Sequence, residues 1–483
     1  MNTDHENSTV VKPQINEVGG SARGRPGTLY WPMLVVGVVA LALRLAPLLY
    51  HGLGWALAHN DSLRYVELAK GLQSGCGFAR LIDGNCAPPE VLRTPGYPVF
   101  LLAMRSLRTA LIFQAILGAS LCVFVGYFVS VWWGEPAALI AEVFLALDAV
   151  TIIKGSQILS DSLFQTILAV AVIAQLGVIA RGRLDRKAIV TLFGASFLLA
   201  AAIMVRPVGI LLPFLAPLPF FFLPRKNWTK TLGCILLAIA IPTLSLLAWM
   251  ARNAAETGVW TISTDVALDL YYYKAGGIVW YRESKPFTVV MDELARRIGR
   301  PSANDFEDTP VGLTPRMTRD ALKILLDHPL ATIIMTLRTF IWLAIVPERA
   351  GLNILIGANA GATSYYAASG QILARIRELF KSPLLTALVC LQFFLNLLLW
   401  TGVARTVLLW RRSSAREIAL EIIPFAIAIA MIALASGAEA YARYRMPAAP
   451  LLAILAGIGW AGARLRSGEN AAQTAMARRA TGR

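Results

Sequence analysis

Residues 59–75 read HNDSLRYVELAKGLQSG, with two acids, Asp61 and Glu67, and two bases, Arg64 and Lys70, in one short stretch. They follow closely on YWPMLVVGVVALALRLAPLLY (30–50), an apolar run of the roughly 20 residues that a helix needs to cross a bilayer core. That run is too long for a signal-peptide core and lacks a small-residue cleavage site, so it reads as an uncleaved anchor. A span followed at once by dense polar chemistry sets the reading of the rest: membrane helices, with polar work done at one rim.

Composition agrees. Of 483 residues, 57% are hydrophobic and 15% charged, whereas a soluble domain carries about 25% charged residues. Apolar runs stand at 30–50, 109–133, 136–153, 158–180, 188–205, 207–223, 231–250, 331–347, 384–409, 418–436 and 446–464. Helices satisfy their own backbone in lipid, so these runs predict an all-α polytopic membrane protein of about eleven spans, with a range of 10–13. Pro207 divides the stretch 188–223 into two helices with Arg206 at the corner, since a single helix would be about 54 Å long. The run 331–347 carries Arg338 at its middle, and the segment after it, 348–371, is a poor span. A re-entrant or surface-lying helix is the favoured reading there, and a weak extra crossing is the alternative. The expected organisation is a disordered polar tail over 1–28, a membrane domain over 29–464 with outer loops 51–108 and 251–330, and a basic tail over 465–483.

The net charge of +16 is concentrated in RGRLDRK (181–187), RKNWTK (225–230), RRSSAR (411–416) and the tail 463–483. Short basic segments between spans follow the positive-inside pattern and suit anionic membrane lipids. They place 51–108, 154–157, 251–330 and 437–445 on the opposite, outer side. No basic patch is interleaved with stacking aromatics, which argues against nucleic acid as a partner. Loop 251–330 is balanced, with 10 Lys and Arg against 11 Asp and Glu, and contains LDLYYYKAGGIVWY (268–281). Those rings form either an interfacial aromatic belt or a binding wall. No internal repeat of the kind many transporters carry is visible.

The informative polar residues fall on the outer side: Asp61, Arg64, Tyr65, Glu67, Glu90 and Arg93 in the first loop, then Lys154 and Asp161, Arg206, and Glu439, Arg443, Tyr444 and Arg445. Charge at membrane depth is costly and usually faces a cavity or a partner. Each residue also has a plainer reading. Asp61 is a good helix N-cap, and Ser160-Asp161 can simply begin a span. Arg44 and Arg206 can snorkel to headgroups. RTPGYP (93–98) can be only a rigid turn, which would also aim Arg93. Cys122, Cys234 and Cys390 lie within apolar runs as packing residues. Cys76 and Cys86 share an outer loop with nine residues between them and are expected to form a disulfide in an oxidising compartment, the alternative being two free thiols.

The order of motifs resembles a known family. Arg44 ends the first span; Asp61, Tyr65 and Ala69 are spaced by four; Gly75, Gly77 and Phe78 follow; then come Arg93 to Pro98, LSDSLF (159–164), VRP (205–207) and RYRMPAAP (443–450). This pattern resembles the bacterial membrane glycosyltransferases of the GT-C fold, the superfamily of protein O-mannosyltransferases and lipid A aminoarabinose transferases. The likeness covers 30–250 and 437–462 and is weak over 260–430. It implies a multi-pass protein of the bacterial inner membrane, a polyprenyl-phosphate-linked sugar donor, a cell-envelope acceptor and chemistry on the periplasmic face. It also implies a catalytic base at the position of Asp61. Many relatives have Glu after this Asp; here Ser62 follows, and Glu90 is a carboxylate of the same loop that can stand in.

The expected chemistry is an inverting hexosyl or pentosyl transfer. A polyprenyl phosphate leaves readily, so positive charge near it and a base for the acceptor hydroxyl suffice. Arginine suits phosphate through its planar fork. Arg93 is the leading phosphate ligand, followed by Arg206, Arg443 and Arg445. Arg44, Tyr65, Glu90, Tyr97 and Asp161 are further substrate-binding candidates. No nucleotide-binding loop is visible. The sequence requires no cofactor and leaves a divalent metal open. A transporter or flippase of lipid-linked sugars is the main alternative, and a non-catalytic assembly protein the next.

Overall fold

The computed structural model describes residues 31–223, 228–304, 308–357, 382–410, 415–435, 437, 441–463 and 465. The tail 1–28, Glu439, positions 358–371 of the poor span and all but Leu465 of the tail 465–483 lie outside these residues.

Among the described residues the regular structure is helical apart from one hairpin. Helix α1 (Trp31–Ala56) buries Met33, Gly37, Ala40 and Arg44 on one stripe and turns Leu34, Val35 and Val38 outward, the spacing of a helix with one packed and one lipid-facing side. After α2 (Asn60–Gln73), strands β1 (Ala79–Ile82) and β2 (Asn85–Pro89) pair antiparallel, with Leu81 opposite Cys86. Their turn is Asp83-Gly84, both at positive φ, the geometry that an Asp-Gly hairpin turn requires. Cys76, just before the hairpin, is joined by a disulfide to Cys86 on β2, one residue beyond the Ile82–Asn85 pair that closes the turn.

Then come α3 (Gly96–Met104), α4 (Leu107–Trp132), α5 (Glu135–Ala146), α6 (Ala149–Gly155), α7 (Asp161–Arg181) and α8 (Arg186–Val205). Ser106, Asp148 and Asp185 cap α4, α6 and α8 by accepting from the amides of Thr109, Thr151 and Ala188. Beyond Arg206 the chain forms a 3-10 helix (Pro207–Phe214), the short α9 (Leu218–Phe221) and the long α10 (Trp228–Thr257). A continuous helical segment follows: α11 (Thr264–Leu268), a π-helix (Asp269–Ala275) and α12 (Gly276–Glu283). The remaining helices are α13 (Phe287–Arg297), α14 (Thr314–Asp327), α15 (Pro329–Ile345), α16 (Arg349–Leu355), α17 (Pro383–Leu409), α18 (Ala415–Leu434) and α19 (Ala449–Ala461). Helix α19 packs between α5 and α17. A Cβ at Gly459 would lie 1.9 Å from the Gly402 carbonyl oxygen, so α17 and α19 meet backbone to backbone, as membrane helices with small residues do.

Eight helices among the described residues are long and apolar enough to cross a membrane, and a ninth span results if α5 and α6, bent by 50°, count as one. Three of the eleven apolar runs therefore make no straight span. The run 136–153 breaks where Asp148 caps α6. The run 207–223 is 3-10 and short α rather than a second full helix, because Pro207, Pro213, Pro217 and Pro219 deny it a regular hydrogen-bond ladder. The run 446–464 yields only the 13-residue α19. Pro329–Leu355, made of α15 and α16, is long and apolar enough to cross a membrane.

Helix α7 ends at Gly182 in the left-handed conformation, and α8 returns alongside it. Asp161 and Arg206 thus meet at one end of the pair. The basic segment 181–187 lies at the other end, about 30 Å away for a 21-residue helix.

Candidate active site

Asp61 stands in the first turn of α2, whose N-cap is His59. Its two carboxylate oxygens accept separately, one from Arg93 Nη2 at 2.8 Å and the other from Arg443 Nη2 at 2.8 Å. Arg93 also donates from Nη1 to Asp265 Oδ2 at 3.0 Å. Arg443 reaches His59 Nε2 at 2.6 Å and lies 3.9 Å from Asp161, which pairs with Arg206. Three arginines and three aspartates from six separate stretches of chain are therefore interlocked where α7 begins and α8 ends.

Local structure explains each placement. Arg93 follows the hairpin on an irregular segment that Glu90 braces by accepting from the amides of Val91 and Leu92. The same segment is tied to α11, where the Thr264 amide donates to the Val91 carbonyl. Arg443 opens the 3-10 helix Ala442–Ala448, which leads into α19. Asp161 is the first residue of α7, where the positive end of the helix dipole favours a carboxylate.

Burial opposes ionisation of Asp61, but Arg93, Arg443 and His59 outweigh it and hold the carboxyl well below the ordinary range. Burial first, and Arg443 next, lower His59 to about 4, so the ring is neutral at neutral pH. His59 Nε2 lies 2.6 Å from Arg443 Nη1, and Nδ1 accepts from the Asp61 amide at 3.2 Å and lies 3.6 Å from Asp61 Oδ2.

Two cavities adjoin here. The first, of about 350 Å³, is polar: His59, Asp61, Arg93 and Arg443 line it, with the ion pair of Lys154 and Glu348 at 3.2 Å. The second, of about 270 Å³, is largely apolar, walled by Val208, Ile210, Met431 and Leu434, with Lys274 among its lining. Arg206, Asp265, Asp269, Tyr273 and Tyr444 line both. Asp269, Tyr273 and Lys274 all come from the π-helix, a form concentrated at functional sites.

Asp61, Arg93, Arg206, Arg443 and Asp161 are thus brought together. The other sequence candidates are not. Arg445 donates to the carbonyls of Leu343 and Val346 and lies 3.7 Å from Asp148. Arg44 donates to the carbonyls of Ala40 and Leu145 and to Thr151 Oγ1. Both satisfy carbonyl oxygens at or near helix ends, where the backbone lacks its own donors, and neither lines the polar cavity. Tyr97 is fully buried and donates to Gln114 Oε1, while Tyr65 shares a hydrogen bond with Ser160 Oγ. Their rings pack edge to face behind the site. Glu90 braces the loop. Sequence reasoning missed Asp265, Asp269, Tyr273, Lys274 and Glu348. Three of these sit in the quoted tyrosine-rich stretch, but its π geometry leaves no sequence mark. Among the described residues no three His, Cys, Asp or Glu side chains converge as metal ligands.

No protein-family profile matches the chain, and no curated protein matches it in sequence. Among solved structures it is similar to an archaeal oligosaccharyltransferase, AglB from Archaeoglobus fulgidus in complex with an inhibitory peptide and a dolichol-phosphate, at 13% identity and a TM-score of 0.47. That match covers 88% of this chain and 50% of the other, so the chain spans half the length of that relative. It is also similar to ArnT from Cupriavidus metallidurans bound to undecaprenyl phosphate, at 14% identity and a TM-score of 0.37, over 89% of this chain and 78% of the other.

Proposed function

We propose that this protein is a membrane glycosyltransferase that moves a sugar from a polyprenyl-phosphate donor to a cell-envelope acceptor at the outer face of the membrane. The observation that carries this reading is the pair of adjoining cavities, one polar and one apolar, with Arg206 on their shared wall. A lipid-linked sugar has the same division. Its chain suits the apolar side, its sugar the polar side, and its phosphate the boundary, where Arg206 stands just before the 3-10 helix and Lys274 of the π-helix lines the apolar side. The motif order from Arg44 to Pro450 supports the same reading.

Charge balance sets the mechanism. In the cavity walls Arg93, Arg206, Arg443, Lys154 and Lys274 face Asp61, Asp161, Asp265, Asp269 and Glu348. A phosphate therefore binds by taking guanidinium donors now held by carboxylates. Each donor that Arg443 or Arg93 gives to phosphate is withdrawn from Asp61, whose basicity rises as a result. Asp61 then accepts the acceptor's hydroxyl proton as that oxygen attacks the anomeric carbon. The bond from this carbon to the phosphate oxygen breaks, and the electron pair leaves on a phosphate held by arginine. Attack opposite the phosphate inverts the centre.

The test is binding of undecaprenyl phosphate to the purified full chain. Arg206→Ala and Lys274→Ala should each weaken it by about tenfold to a hundredfold, the loss of one charged hydrogen bond. Affinity unchanged in both variants would remove the phosphate from this boundary and the reading with it.

A further inference from the structure

A third cavity, of about 350 Å³, lies between α5, α17 and α19. Its walls include Val143, Phe144, Leu395, Leu399 and Leu452. Neighbouring positions on α17, Leu391 and Phe394, are more than half exposed, so this side of the bundle faces lipid. Asp148, Gln392, Asn396 and Arg445 are its polar lining. It shares no lining residue with the polar cavity.

Gln392 marks it as more than a surface furrow. The side chain is 4% exposed, and its Oε1 accepts from the Glu348 amide at 3.1 Å. Its Nε2 has no partner among the described residues. A buried amide N–H without an acceptor is rare in a folded protein. The charge beside it is already matched: Arg445 is occupied by Asp148, Asn396 and two carbonyls. The site therefore calls for a neutral oxygen on an apolar chain, and an anionic head would find no unmatched cation here.

We infer that this groove binds one acyl chain of a membrane lipid, with the ester or amide carbonyl of that lipid accepting from Gln392 Nε2. The site is separate from the donor site proposed above and does not depend on it. It touches that site through one wall, because Gln392 also fixes the backbone of Glu348, the partner of Lys154 in the polar cavity.

The test is photo-labelling of the full chain in vesicles of phosphatidylethanolamine and phosphatidylglycerol, doped with a glycerolipid carrying a diazirine in one acyl chain. Peptides containing Val143 and Leu395 should be labelled. Gln392→Leu should lower that labelling about tenfold, as expected for one lost hydrogen bond. Ala449→Phe, which fills the groove, should abolish it, and labelling at Leu391 and Phe394 should not change in either variant. Labelling inside the groove that neither variant alters would show surface lipid only and overturn the site. Labelling by a diazirine-bearing prenyl phosphate but not by the acyl probe would overturn the assignment to an acyl chain. Because the readout is binding, its failure leaves the transferase reading untouched.

Discussion

Asp61 is both the proposed base and the counter-charge that lets Arg93 and Arg443 be buried. These roles separate by mutation. Asp61→Asn should lower turnover by about 10²–10⁴, the usual worth of general-base assistance. It should also destabilise the protein by about 3–5 kcal/mol, because two guanidinium groups lose a buried partner. Adding Arg443→Gln removes one orphaned charge, so thermal unfolding should recover while turnover stays low. Recovery of turnover in the double variant would reduce Asp61 to a structural counter-charge. At this scale the sequence was informative where residue type and spacing coincide: Asp61, Arg93, Asp161, Arg206 and Arg443 all line the two cavities. Arg44 and Arg445 line neither of these cavities, and an arginine that serves backbone carbonyls looks the same in a sequence as one that awaits an anion.

The hairpin 79–89 is the element that aims Arg93. The Cys76–Cys86 disulfide ties its second strand to the segment before it, and Arg252 of α10 donates to the carbonyls of Glu90 and Phe78 just beyond and before it. The Phe78 ring meets Trp249 edge to face at 5.2 Å. Replacing Cys76 and Cys86 by Ser should therefore loosen the hairpin locally, by about 2–3 kcal/mol in the chain-entropy model, and leave the helix bundle folded. Limited proteolysis should then cut within 76–89, and undecaprenyl phosphate affinity should fall through Arg93. A hairpin as protease-resistant as the parent's would show that the α10 contacts suffice. The hairpin went unread, because strands of four and five residues are too short for hydrophobic alternation to announce them. The π-helix is a second such case, since its effect is to turn Asp269, Tyr273 and Lys274 onto the cavities, and no composition encodes that turn.

Across the whole molecule, the described helix ends place the basic segments away from the polar cavity. The segment 181–187, the end of α17 and the start of α18 lie at the far ends of helices whose other ends reach the outer cluster or cavities. On the proposed orientation, Asp83→Cys should react with a membrane-impermeant thiol reagent in intact cells, and Arg183→Cys only after the membrane is opened. The reverse pattern would invert the assignment. Helix number was less legible than helix type, because prolines and an internal cap break apolar runs that hydropathy alone joins. About 30 Å of helix between the basic segment and the cavity also isolates the reaction. On the proposed function and orientation, nothing dissolved at the basic end, nucleoside triphosphates included, would reach Asp61. The driving force would then have to arrive stored in the sugar–phosphate bond of a lipid already turned over across the bilayer, and the spent carrier would have to be cleared from the outer leaflet afterwards.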